Sequence, residues 1–336
     1  MKRIAIEEAF VTRSVMAEWH RLHQSGVMED GFRLMANTIL ADTPGNAPLH
    51  ARLLDVGPGR LAQMDRDGID MAVLSLTSPG VQVFNADLAT TLAAEANDEL
   101  AAAVRAQPQR LAGLAAVAPQ DPERAAREIE RARRSLGLVG VIINSHTQGE
   151  YLDLDKFQPL LTTAEYEDMP IYLHPREPGP GLLDPYKDYG LYFATWGFAV
   201  ETSLHAMRLI MSGTFDRFPK LKVILGHMGE GIPFWLQRID NRYQLQVRIG
   251  AVKKLKRLPS EYFLENFVIT TAGVTSGPAL RLALDVLGAD RVMFAADFPY
   301  EDAAEAVRFL NEADMDDATR AKLFQHNATA LFGLAG

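Results

Sequence analysis

Lys222-Val223-Ile224-Leu225-Gly226-His227 is a short apolar run that stops on a proton-transfer residue. The same pattern recurs along the chain: Arg3-Ile4-Ala5-Ile6 runs into Glu7, Pro170-Ile171-Tyr172-Leu173 into His174, and Val292-Met293-Phe294-Ala295-Ala296 into Asp297. Runs that are apolar at consecutive positions, rather than at alternate ones, suit strands of a parallel sheet buried on both faces. In a closed parallel barrel the carboxyl ends of all strands meet on one face, where active sites are built. Residues far apart in sequence then converge there, and the residue types point to a metal-dependent enzyme.

Four more apolar runs, at 71–76, 111–117, 138–143 and 267–271, bring the predicted strands to eight. Helical segments are expected between and after them, over 86–106, 122–136, 155–166, 199–212, 234–245, 277–287, 302–313 and 316–332. Eight β/α units without an internal linker predict one α/β domain over 1–336, a (β/α)8 barrel of the TIM type with extra C-terminal helices. An open, doubly wound sheet is the structural alternative. Two stretches break the rhythm. Residues 11–58 form a long insertion after the first strand, and residues 175–196 carry Pro175, Pro178, Gly179, Pro180, Gly181 and Pro185. Both follow strand carboxyl ends, so both are candidate lids over the active-site face, 11–58 above all.

Composition bounds the function. The 336 residues are 48% hydrophobic and 23% charged, as in ordinary globular proteins. A net charge of -9 without a basic block argues against a nucleic-acid partner. The absence of cysteine excludes disulfides, thiolate metal sites and cysteine nucleophiles. With no secretory segment at the start and no apolar stretch near the ~20 residues of a membrane span, the expectation is a cytoplasmic protein without a membrane partner.

Glu7, His174 and Asp297 make a set of two carboxylates and one imidazole, which leaves coordination positions open for substrate or water. In Gly226-His227-Met228-Gly229-Glu230 a carboxylate three residues on can fix the histidine tautomer and raise its basicity, which suits proton transfer. Arg238, on the helix that should follow, is a candidate anchor for an anionic substrate group. Phe10, Phe298 and Tyr300 flank the ligand strands and are candidates to stack on a planar ring. His146 reads as a loop or lid contact, His205 and His326 as structural, and His20, His23 and His50 take no role.

At these residues the chain resembles the amidohydrolase superfamily, in particular its metal-dependent, oxygen-independent aromatic-acid decarboxylases. The resemblance rests on Ile6-Glu7-Glu8-Ala9-Phe10, Tyr172-Leu173-His174-Pro175, Gly226-His227-Met228-Gly229-Glu230 and Ala296-Asp297-Phe298-Pro299-Tyr300. Leu76-Thr77-Ser78-Pro79-Gly80-Val81-Gln82 and Asn144-Ser145-His146-Thr147-Gln148-Gly149 are similar to 5-carboxyvanillate decarboxylases. Phe215-Asp216-Arg217-Phe218-Pro219-Lys220-Leu221 is similar to segments of γ-resorcylate, 2,3-dihydroxybenzoate and salicylate decarboxylases. Hydrolytic members carry His-x-His on the first strand, whereas this chain has Glu7 and Ala9. That departure implies one divalent ion, Mn²⁺ first, with Mg²⁺ and Zn²⁺ as alternatives. The resemblance implies decarboxylation of a hydroxybenzoate to a phenol and CO₂, with Asp297 protonating the ring carbon, His227 and Glu230 assisting, and Arg238 binding substrate. The 5-carboxyvanillate enzymes carry an arginine for a second carboxylate within the stretch equivalent to 41–51. This chain has none there, which implies a substrate with one carboxylate or a different anchor. Hydrolysis of a lactone or amide is the competing activity, and a homo-oligomer, dimer or tetramer, is implied by the resemblance.

Overall fold

Each of the eight apolar runs forms a strand: β1 (Ile4–Phe10), β2 (Met71–Leu76), β3 (Leu111–Ala116), β4 (Gly140–Asn144), β5 (Ile171–His174), β6 (Val223–Leu225), β7 (Phe267–Thr270) and β8 (Val292–Met293). The computed structural model describes residues 1–334; residues 335 and 336, the end of the expected domain, lie outside the described residues. Neighbouring strands pair in parallel, in the order β1 to β8 without a crossover. A doubly wound sheet reverses its strand order at a switch point. None occurs here, and the fold is a (β/α)8 barrel.

The seam between β8 and β1 differs from the other strand pairs. Ile6 donates its N–H to the Phe294 carbonyl at 3.2 Å and Ala9 donates to the Phe298 carbonyl at 2.8 Å. The predicted strand over 292–296 is therefore laddered only at Val292–Met293. Beyond it, side chains replace strand bonds: Ala295 N–H donates to Thr271 Oγ1 at 3.1 Å and Ala296 N–H to Glu8 Oε1 at 3.0 Å.

Helices cover the barrel where the sequence predicts them. Asn85 caps Ala86–Ala106 by accepting the Leu88 N–H, and Asp121 caps Pro122–Arg131 by accepting the Arg124 N–H. The segment predicted over 316–332 is interrupted by a wider π-type turn at Lys322–His326, between Asp317–Ala321 and Asn327–Phe332. The Phe294 N–H bonds to the Leu323 carbonyl inside that turn, at 2.9 Å, which ties the interruption to the end of β8.

The stretch 11–58 contains three helices, Arg13–Ser25, Asp30–Ala36 and Ala47–Leu53. Trp19 is buried and its indole N–H reaches the Gly80 carbonyl after β2 at 3.0 Å. Glu29 meets the guanidinium of Arg176, in the loop after β5, at 3.2 Å, and Arg176 also pairs with Glu177. Gly31 permits this approach, since a Cβ there would stand 2.3 Å from Glu177 Cγ. The two stretches that break the β/α rhythm are thus bonded to each other at the carboxyl ends of the strands.

Candidate active site

Glu7 reaches the barrel mouth through a break in register. Ala5 pairs with Ala72 and Glu8 with Leu74, so Ile6 and Glu7 together oppose Val73. A bulge of this kind re-aims side chains, and bulges concentrate beside active sites. Glu7 Oε2 accepts from the Tyr172 hydroxyl and from Thr270 Oγ1, the latter at 3.2 Å. Tyr172 lies two residues before His174 on β5, hence on the same face. Only glycine fits across the barrel at position 226, where a Cβ would stand 2.9 Å from Glu7 Oε2.

Glu7 Oε1 is buried without a hydrogen-bond donor. It lies 3.4 Å from His174 Nε2 and 3.8 Å from His227 Nε2, while His227 Nε2 is 3.6 Å from Asp297 Oδ2. Ligand atoms of Glu7, His227 and Asp297 fall within 4.8 Å of one another. Burial pushes the Glu7 carboxyl up to about 7, opposed by His227 and reinforced by Asp297. A buried carboxylate oxygen lacking a donor, faced by imidazole nitrogen and a second carboxylate, is an oxygen/nitrogen donor set that fits a divalent cation.

The two histidines present Nε2 to the same carboxylates but differ behind the ring. His174 Nδ1 is 2.9 Å from the Pro175 carbonyl, an acceptor, so Nδ1 carries the proton and Nε2 a lone pair. Burial lowers His174 to about 4 and keeps it neutral, although Asp297 opposes this. His227 Nδ1 instead meets Glu230 Oε1 at 2.8 Å. Burial disfavours its charge, yet Glu230, Glu7 and Asp297 hold His227 well above its ordinary value. A neutral imidazole can ligate a metal; a protonated one can donate a proton. The backbone here is strained: His227, Met228, Glu230 and Asp297 have φ of 50°, 56°, 53° and 60°, a left-handed region uncommon for residues other than glycine.

A cavity of about 900 Å³ reaches His227, Glu230 and Asp297 and is lined also by Arg238, Trp196 and Trp235, while Glu7 and His174 lie behind its wall. Arg238 lines this cavity on the helix Ile232–Arg248. Phe10, Phe298 and Tyr300 do not line this cavity. Phe10 is buried in the core, Phe298 packs under the Arg60 guanidinium at 4.8 Å, and the Tyr300 hydroxyl bonds to Thr77 Oγ1 at 2.7 Å. His146 is a loop contact as expected: its Nε2 meets the Glu177 carbonyl at 3.1 Å. His205 is buried and accepts the Leu152 N–H at 2.9 Å.

Sequence reading missed Tyr172, Thr270, Glu8 and Arg60. Tyr172 had a signal, its two-residue offset from His174 on a strand. Glu8 and Arg60 had none, because the Ala296 N–H, the Ala9 carbonyl and the Phe298 ring reach them only through the fold. Glu8 is buried, and that burial pushes it up to about 8, while Arg60 is lowered by burial to about 10.

Comparison with known proteins matches an amidohydrolase family model over residues 47–334. γ-Resorcylate decarboxylase of Polaromonas sp. strain JS666 is 38% identical over 340 residues, which span 99% of this chain and 98% of that protein. The crystal structure of 5-carboxyvanillate decarboxylase from Sphingomonas paucimobilis superposes with a TM-score of 0.96 at 44% identity, covering 99% of each chain. A 5-carboxyvanillate decarboxylase from Novosphingobium aromaticivorans, complexed with manganese and 4-hydroxy-3-methoxy-5-nitrobenzoic acid, gives a TM-score of 0.96 at 43% identity, over 99% of this chain and 96% of that one.

Proposed function

The chain belongs to the amidohydrolase family, and from that membership we propose a metal-dependent, non-oxidative decarboxylation of a hydroxybenzoate to a phenol and CO₂. It is a carboxy-lyase acting on aromatic acids, as its named relatives are, and the hydrolytic alternative is set aside on that ground. Glu7, His174 and Asp297 hold one divalent ion, and Mn²⁺ is favoured because similar enzymes were crystallised with it. The residues form one catalytic domain over the barrel, with 11–58 as its cover. When bound, the ion stabilises negative charge on the substrate oxygens as a Lewis acid.

Direct loss of CO₂ would leave an aryl anion, so protonation of the carboxylate-bearing ring carbon must come first. Asp297 delivers that proton, forming the new C–H bond. The C–C bond to the carboxylate then breaks, its electron pair restores the aromatic ring, and CO₂ departs. His227 returns a proton to Asp297 across the 3.6 Å gap between Nε2 and Oδ2, and Glu230 favours the imidazolium that makes this possible. Arg238 binds an anionic group of the substrate from the cavity wall. Exposed Trp196, Phe234 and Trp235 support a homo-oligomer that covers this face.

The carrying observation is the contrast between the two rings: His174 backed by a carbonyl, His227 by a carboxylate. Metal content and turnover of His174→Ala and His227→Ala test it together. His174→Ala is expected to lose the ion, while His227→Ala keeps it and loses at least about a hundredfold in turnover. The reverse pattern would reject the assignment.

A further inference from the structure

Between β8 and β1 the barrel lacks a regular ladder, and Glu8 and Arg60 supply much of what joins its two sides. Glu8 is buried and accepts the Ala296 N–H at 3.0 Å. One residue on, Ala9 donates its N–H to the Phe298 carbonyl at 2.8 Å. Arg60 Nη2 donates to the Ala9 carbonyl at 2.7 Å, and the guanidinium lies 4.8 Å from the Phe298 ring centroid. Arg60 is itself held in place by the carbonyls of Asp55 and Arg52, each at 3.1 Å.

These contacts bracket the two carboxylates of the site. Glu8 follows Glu7 directly, and Ala296 and Phe298 flank Asp297 on either side. Neither Glu8 nor Arg60 lines the cavity, so neither is placed to touch substrate. Burying a carboxylate and a guanidinium is a poor way to stabilise a barrel seam, since apolar residues of similar volume do so without the desolvation penalty. What hydrogen-bonding side chains add is direction. Glu8 fixes the backbone just before Asp297, which is held at φ 60°, and Arg60 fixes Ala9, whose own N–H holds the Phe298 carbonyl just after it.

We propose that Glu8 and Arg60 are positioning residues, a clamp across the β8–β1 seam that sets the separation of the Glu7 and Asp297 carboxylates for one divalent ion. The clamp rests on the metal reading given above. Outer groups that orient ligands in this way typically change metal affinity or activity by about 10–100-fold when removed.

The test uses the full chain loaded with Mn²⁺. Loss of the ion to excess chelator, the Mn²⁺ EPR spectrum, and kcat and KM separately are compared for Glu8→Leu, Glu8→Gln and Arg60→Met. Glu8→Leu and Arg60→Met are expected to lose the ion at least about tenfold faster, with an altered EPR line shape and a kcat loss larger than any change in KM. Glu8→Gln, which keeps a carbonyl oxygen for the Ala296 N–H, recovers most of this. If Glu8→Leu does not fold, Arg60→Met decides by the same readouts. Parental ion loss and a parental EPR spectrum in the folded variants, whatever their thermal midpoint, would overturn the clamp and leave both residues as barrel closure. A parent protein that retains no ion would overturn the metal reading and the clamp with it.

Discussion

His227 and Glu230 show how much one side chain behind a ring decides. With Nδ1 donated to Glu230 at 2.8 Å, His227 is held protonated above its ordinary range, whereas His174, backed by a carbonyl, is not. The proton on His227 is present below its raised pKa and is lost as pH rises through it. If imidazolium is the working form, activity falls on the alkaline side at that pKa. Glu230→Gln removes the negative charge, lowers the pKa, and shifts this alkaline limb to lower pH, with kcat/KM at pH 8 reduced about tenfold or more. A pH profile of kcat/KM that is superimposable on the parent's would reduce Glu230 to a loop contact. At this scale the sequence exposed the residues that end strands, because a polar group after an apolar run is a visible discontinuity. It hid Glu8 and Arg60, whose partners Ala296 and Phe298 lie across the barrel seam and leave no local trace. It also suggested ring contacts at Phe10, Phe298 and Tyr300, which the cavity does not include.

Elements were legible where burial is uniform. Consecutive apolar residues in β2, β3 and β4 mark strands covered on both faces, and the caps Asn85 and Asp121 mark helix starts. The bulge at Ile6 and Glu7 was not legible, because an extra residue in one strand is defined only against the register of its neighbour. β8 proved shorter than its apolar run for a related reason, since side chains of Glu8 and Thr271 take over its bonds. The stretches 11–58 and 175–196 were recognisable as interruptions, yet their mutual tie through Arg176 was not. Arg176 is fully buried between Glu29 and Glu177. Arg176→Met leaves those carboxylates without their cation, and a loss of about 3–5 kcal/mol is expected in urea unfolding. A loss below about 1 kcal/mol would mean that the two stretches are held by packing alone.

For the molecule as a whole, barrel topology turns strand ends scattered from Glu7 to Asp297 into one site. Among the described residues no helix is long and apolar enough to cross a membrane. The aromatic surface around Trp196, Phe234 and Trp235 is expected to be buried between copies of the chain. Light scattering should then give at least twice the 37.1 kDa of one chain, and Trp235→Glu should shift the population towards monomer. A parent protein that is monomeric at micromolar concentration would remove that proposal. The central claim is ring protonation before loss of CO₂, without oxygen. The most direct test is proton NMR of the Mn²⁺-loaded protein turning over 2,6-dihydroxybenzoate or 5-carboxyvanillate in D₂O under argon. The account predicts a phenol carrying one deuterium at the carbon that held the carboxylate, with one CO₂ released per phenol. No decarboxylated product, a dependence on oxygen, or a phenol with no solvent deuterium at that carbon would contradict it.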